Sequence, residues 1–119
     1  MKQNAFTLIE IMVVIGIIGL LATIGIQSYS RAQKTANKTT CINNLHQIEG
    51  AIRTWSLEAR QDDESPVVAT DILPYLQGTI TCPSGGKTFG DSYSITFVGT
   101  KPTCKKVPDT HKLLENTTQ

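Results

Sequence analysis

A chain of 119 residues has room for one domain. Its 11 basic and 10 acidic side chains leave a net charge of +1, which creates no field for a polyanion, so nucleic acid is not expected as a main partner. His46 and His111 have no cysteine or carboxylate at catalytic or ligand spacing, so no catalytic activity, cofactor or metal is expected.

Residues 1–5 form a short polar start, and residues 6–26 follow as 21 positions in which Glu10 is the only charge. As a helix that stretch is roughly 30 Å long, enough to span a bilayer. A secretory signal peptide fits poorly. The region before the apolar run is too short, no small-X-small cleavage site follows it, and a carboxylate sits inside it.

Beyond Gln27 the helix-forming composition continues through Arg60, and the first proline is Pro66. Residues 27–60 therefore read as an amphipathic continuation of the same helix. Cys41, Leu45, Ile48, Ile52 and Trp55 recur at steps of four and three, which puts them on one stripe, while Asn44, Gln47, Arg53 and Glu58 lie off it. One helix cannot bury such a stripe by itself. Residues 61–107 must supply the cover as a small globular head.

That head begins with a polar stretch, residues 60–66, whose Asp62, Asp63 and Glu64 read as a solvated charged turn rather than a calcium loop. Thr70 or Asp71 is placed to cap a short helix carrying Ile72, Leu73, Tyr75 and Leu76, with Pro74 in its first turn and Gly78 as its left-handed stop. A period of two then sets Tyr93, Ile95 and Phe97 against Ser94, Thr96 and Val98, as in a half-buried strand. The Gly90-Asp91 pair predicts a hairpin with residues 87–89, and residues 80–82 are a candidate third strand. Residues 108–119 read as a polar tail with no need of fixed structure.

Cys41, Cys82 and Cys104 all follow the apolar run, where an oxidising compartment could cross-link two of them and leave one unpaired. Cys-X-X-Cys and the Cys/His spacings of zinc sites are absent, which favours a disulfide and a spare thiol over a metal cluster.

Phe6-Thr7-Leu8-Ile9-Glu10, with the run from Ile11 through Gly16 and Gly19 to Ala22, resembles the N-terminal signature of type IV pilins and of the pseudopilins of type II secretion. The resemblance covers about the first 30 residues. It implies an α+β, pilin-like fold: a long N-terminal helix, membrane-spanning in its first half, packed against a short helix and a small antiparallel sheet. It also implies that a prepilin peptidase cuts the leader between Ala5 and Phe6 and methylates the new amine on Phe6. Ala5 stands where the family has Gly, but is small enough for cleavage to be expected. Gln27 stands where many relatives have a helix-kinking Pro, which leaves Gly16, Gly19 and Gly25 as the weak points of the helix.

The resemblance gives Glu10 its role. A carboxylate inside a membrane helix costs a few kcal/mol, and the family's answer is an ion pair between Glu10 of one subunit and the Phe6 amine of its neighbour, which sets the stagger between helices. Gly16 and Gly19 permit close helix packing. The implied partners are other copies in a helical filament, the peptidase, an inner-membrane assembly platform, and lipid before assembly. The implied system is a type IV pilus or a secretion or DNA-uptake pseudopilus, with a cytoplasmic leader and a periplasmic head. Charge counting alone, with Lys2 before the span and Arg31, Lys34 and Lys38 after it, would orient the chain the other way.

More loosely, Cys82-Pro83-Ser84-Gly85-Gly86 and Pro102-Thr103-Cys104 resemble pseudopilin-like proteins whose short sheet is closed by such a turn. On that resemblance a Cys82–Cys104 disulfide would close a loop of about 22 residues, worth roughly 3 kcal/mol of chain entropy, with Cys41 as an alternative partner or a buried thiol. The alternative to a filament subunit is a single-span, membrane-anchored binding protein that never polymerises.

Overall fold

A computed structural model describes residues 4–114, and residues 1–3 of the expected leader and 115–119 of the expected tail lie outside the described residues. The chain divides into two compact units, Met1–Lys34 and Thr35–Gln119. One helix, α1, Leu8–Ala59, runs for 52 residues through both.

The start of α1 is set by side-chain capping. Thr7 Oγ1 accepts from the Glu10 backbone N–H at 3.4 Å, and Glu10 Oε2 accepts from the Thr7 N–H at 2.8 Å. This reciprocal pair is a Thr-X-X-Glu capping box, which satisfies two of the backbone donors that a helix leaves open at its N-terminus. The helix ends with Arg60 in the left-handed region at φ 52°, while the Gln61 N–H reaches back to the Ser56 carbonyl at 2.8 Å. That is the six-to-one closure of a Schellman motif, here without the usual glycine.

Every residue from 4 to 36 is exposed. In the second unit, α1 buries Cys41, Leu45, Ile48, Ala51, Ile52 and Ser56. The cover is built from Val67, Ile72, Ile80, Cys82, Tyr93, Cys104 and Leu113, with Trp55 partly buried beside them. Two short elements follow α1: α2, Ala69–Ile72, which runs into a 3-10 turn at Leu73–Tyr75, and α3, Phe89–Ser92. The sheet has two strands, β1, Tyr93–Ser94, and β2, Thr103–Cys104, antiparallel with Tyr93 opposite Cys104. A further antiparallel bridge joins Pro66 to Phe97.

The α+β, pilin-like arrangement is thus present, but its details differ from expectation. The strand expected over residues 93–98 is regular only at Tyr93–Ser94, and Phe97 is exposed, with a single bridge to Pro66. Residues 87–89 are not a hairpin strand. Thr88 Oγ1 accepts from the Asp91 N–H at 3.2 Å and Asp91 Oδ2 from the Lys87 N–H at 3.1 Å, so local capping turns Phe89–Ser92 into helix and leaves β1 to pair with β2. Residues 80–82 form no strand. The N-cap of α2 is Val68, because Asp71 Oδ2 accepts from the Val68 N–H at 3.2 Å and so stands inside the helix rather than before it. The described part of the tail is ordered: His111 and Leu113 are buried, the His111 N–H bonds the Val107 carbonyl at 3.0 Å, and Lys101 Nζ donates to the Leu114 carbonyl at 2.9 Å. Leu113 supplies apolar cover that so small a core needs.

The turn after Cys82 explains its glycines. Gly85 sits at φ 112°, and Gly86 lies so close to its neighbours that a Cβ would fall 2.0 Å from Ser92 Oγ and 2.9 Å from the Cys82 nitrogen. Ser92 Oγ occupies that space because it accepts from the Cys82 N–H at 3.0 Å and donates to the Thr88 carbonyl at 2.7 Å. Gly86→Ala is therefore expected to destabilise the head by about 1–3 kcal/mol, read as a lower thermal midpoint of Trp55 fluorescence. An unchanged midpoint would show that the turn can yield.

Asp91 also holds Lys106 at 2.7 Å, tying α3 to the segment after β2. The Lys106 ammonium, and then the Lys87 N–H, hold its carboxyl below the ordinary value of 3.8. A carboxylate lowered on folding stabilises above its unfolded pKa, and that contribution is lost as pH falls through the folded value. Acid titration of the Trp55 signal is expected to show stability falling below about pH 4, with a shallower fall in Asp91→Asn. Parallel acid profiles would remove Asp91 from the explanation.

Candidate functional site

The expected functional residues fall into two groups, one in each unit. In the first, Ala5 and Phe6 are exposed just before α1, and Phe6 keeps 82% of its surface open. Glu10 accepts from both the Thr7 N–H and the Thr7 hydroxyl, each at 2.8 Å. Thr7, one residue from the expected cleavage position, is the member of this group that the sequence reading left without a role. The Thr-X-X-Glu spacing was the signal for it. Gly16 and Gly19 lie three residues apart, hence on neighbouring positions of the helix surface, and a Cβ at either would meet nothing within 4 Å. Around them Ile11, Val14, Ile15, Ile18 and Leu21 are all exposed. Such a surface needs an apolar surrounding from outside the chain.

In the second unit the three cysteines come together. Cys41 arrives from the inward stripe of α1, Cys82 from the segment before the tight turn, and Cys104 from β2 opposite Tyr93. All three are free thiols and buried, with the sulfurs of Cys82 and Cys104 3.6 Å apart. His111, for which the sequence offers no ligand spacing, is buried beside them: its ligand nitrogen and the three sulfurs all lie within 4.8 Å of one another. Its Nδ1 is buried with no hydrogen-bond partner among the described residues. His46 is elsewhere, exposed and 4.0 Å from Glu49.

The surroundings of the cluster are ordered by hydrogen bonds. Asn44 Nδ2 donates to the Thr81 carbonyl at 3.1 Å and to the Tyr93 hydroxyl at 2.9 Å, and that hydroxyl lies beside the Cys41 thiol. Burial first, and then the neighbouring Cys104, push the Cys41 thiol up to about 12. Burial also raises Cys104, but the backbone N–H groups of Val107 and Lys106 and the Cys41 thiol outweigh it, and Cys104 ends below its ordinary value. Burial, with Lys38 nearby, lowers His111, so its imidazole is neutral at pH 7.

Tyr93→Phe removes the hydroxyl between Asn44 and Cys41 and leaves the ring in place. The head is expected to lose about 1 kcal/mol, seen as a lower denaturant midpoint with an unchanged slope. No loss would mean that the hydroxyl contributes nothing net.

The family described as the prokaryotic N-terminal methylation motif matches residues 1–26. The chain is 42% identical over 57 residues to prepilin peptidase-dependent protein D of Escherichia coli K12, which covers 48% of this chain and 39% of that protein. It is 37% identical over 62 residues to the type IV major fimbrial protein FimA of Dichelobacter nodosus, covering 52% and 39%. It is 35% identical over 83 residues to the type II secretion system core protein G of Klebsiella pneumoniae, covering 70% of this chain and 54% of that one. The chain thus spans between about two fifths and just over half the length of these curated relatives. No solved structure matches it. One helix among the described residues is long and apolar enough to cross a membrane; with these relatives it makes the chain a membrane-anchored protein.

Proposed function

We propose that this chain, which carries the N-terminal segment of the type IV pilins and type II secretion pseudopilins, is a structural, non-catalytic subunit of a pilus-like or pseudopilus filament. The observation that carries this reading is the exposed apolar start of α1, residues 8–26, in which the one charged side chain, Glu10, is held among the described residues by Thr7. The names of the relatives, a prepilin peptidase-dependent protein, a fimbrial protein and a secretion-system core protein, support the same class.

In this reading a prepilin peptidase removes residues 1–5 and methylates Phe6. The subunit then waits in the inner membrane with the Glu10 carboxylate held by Thr7, which offsets part of the few kcal/mol that an unpaired charge would cost in lipid. On assembly the carboxylate also meets the positive amine of a neighbouring Phe6, and only one stagger between helices brings the two together. The apolar helix suits both surroundings, since lipid tails and a bundle of identical helices make the same demand on side chains. Gly16 and Gly19 let adjacent backbones approach. The leader faces the cytoplasm and the head the periplasm, while Arg31, Lys34 and Lys38 follow the span on the head side.

Two measurements test this together. Mass spectrometry of the chain from purified membranes is expected to find a form that begins at Phe6 with a methylated amine. Glu10→Val is expected to insert normally yet give few or no filaments by electron microscopy. Retention of Met1 throughout, or filaments of unchanged subunit spacing from the Glu10 variant, would sink the proposal.

A further inference from the structure

A second site is built into the head, and it stands independently of the filament reading. Cys41, Cys82, Cys104 and His111 come from four separate stretches of the chain, and their ligand atoms gather within 4.8 Å of one another. They are among the most completely enclosed residues of the protein, exposed by 0%, 1%, 1% and 5%. We propose that these four side chains form a closed tetrahedral site for one zinc ion that holds the head together.

Three features lead to this assignment. The first is size: zinc–sulfur bonds of about 2.3 Å place two sulfurs of a tetrahedron roughly 3.8 Å apart, and those of Cys82 and Cys104 are 3.6 Å apart. The second is valence. A disulfide between two of the thiols would leave the third thiol and an imidazole enclosed and unused, whereas one metal ion uses all four groups. The third is His111 Nδ1, a buried polar atom with no partner among the described residues. Such an atom is costly unless something pairs with it or with the ring.

The donor set chooses the ion. Three soft thiolates and an imidazole suit zinc and exclude calcium and magnesium, which take oxygen ligands. With all four positions filled by protein and no open face to solvent, the site is structural rather than catalytic. The surroundings fit a metal-bound thiolate: the N–H groups of Lys106 and Val107 favour the ionised Cys104 sulfur, and the Tyr93 hydroxyl, oriented by Asn44, does the same for that of Cys41. Binding forms three zinc–sulfur bonds and one zinc–nitrogen bond while three thiol protons leave to solvent, and no electrons are exchanged. The ion would then tie the inward stripe of α1 to the turn, to β2 and to the segment after it, in a head whose core is otherwise small.

The test uses the full-length chain, reduced and held in detergent micelles, with zinc or cobalt salts as the only added ligand. The expected result is one zinc per chain by elemental analysis. Cobalt should give thiolate charge-transfer and intense tetrahedral ligand-field bands, which zinc then abolishes. His111→Ala is expected to weaken binding at least about tenfold, a loss that outer-shell changes alone can bring. His111→Cys should restore a one-to-one complex with ligand-field bands moved toward those of four thiolates, which a histidine present only for packing would not do. Failure of the reduced wild-type chain, with three titratable thiols, to bind either ion would overturn the proposal. So would a Cys82–Cys104 disulfide in the chain isolated from membranes, or cobalt spectra that do not change between the wild type and the two His111 variants.

Discussion

The structure depends on a single helix that meets two different surroundings along its length. From Leu8 to residue 36 every residue of α1 is exposed, and its large apolar side chains there call for lipid or other molecules around them. From Cys41 to Ser56 one stripe of the same helix is closed by the head. The composition changes earlier, at Gln27, from an almost uncharged apolar run to a polar helix with one apolar seam, and burial of that seam begins at Cys41.

Each half contains polar groups in an apolar setting, and each handles them differently. Glu10 is answered locally, three residues away, by a threonine that caps the same helix turn. That answer needs no tertiary structure. Cys41, Cys82 and the pair Cys104 and His111 lie on separate stretches and meet only because the head folds over the seam, and the imidazole keeps a nitrogen without a partner among the described residues. A buried polar atom of that kind is rare in folded proteins.

The head is thin. Its two-residue strands and single helical turns contribute little regular hydrogen bonding, so its shape rests on individual contacts. Tyr93 shows the economy of the arrangement. Its ring tilts against Phe89 at 5.8 Å, its backbone pairs with Cys104, and its hydroxyl links Asn44 to the cysteine cluster. Outside the cluster, the Tyr75 hydroxyl donates to Glu58 and joins the 3-10 turn to the end of α1. Asp63 does similar work at the acidic turn, where its carbonyl accepts from the Gly99 N–H at 2.9 Å.

Periodicity and composition were enough for the large elements. The long helix, its uncovered apolar start and the inward positions Cys41, Leu45, Ile48 and Ile52 could all be read from the sequence, because each follows from local preference or from a repeat of 3.6 residues. The N-terminal motif was legible too, since its residues are contiguous. The hairpin expected at Gly90-Asp91 was not realised, because Thr88 and Asp91 side chains capture backbone N–H groups and favour a helical turn over a strand of the same sequence. The tail read as polar, yet Leu113 and His111 are buried, a fate decided by what lies across from them rather than by their neighbours in sequence. Only the tertiary structure could bring His111 to the three cysteines. Their spacing matches no local ligand pattern, and proximity between residues so far apart is a property of the folded chain.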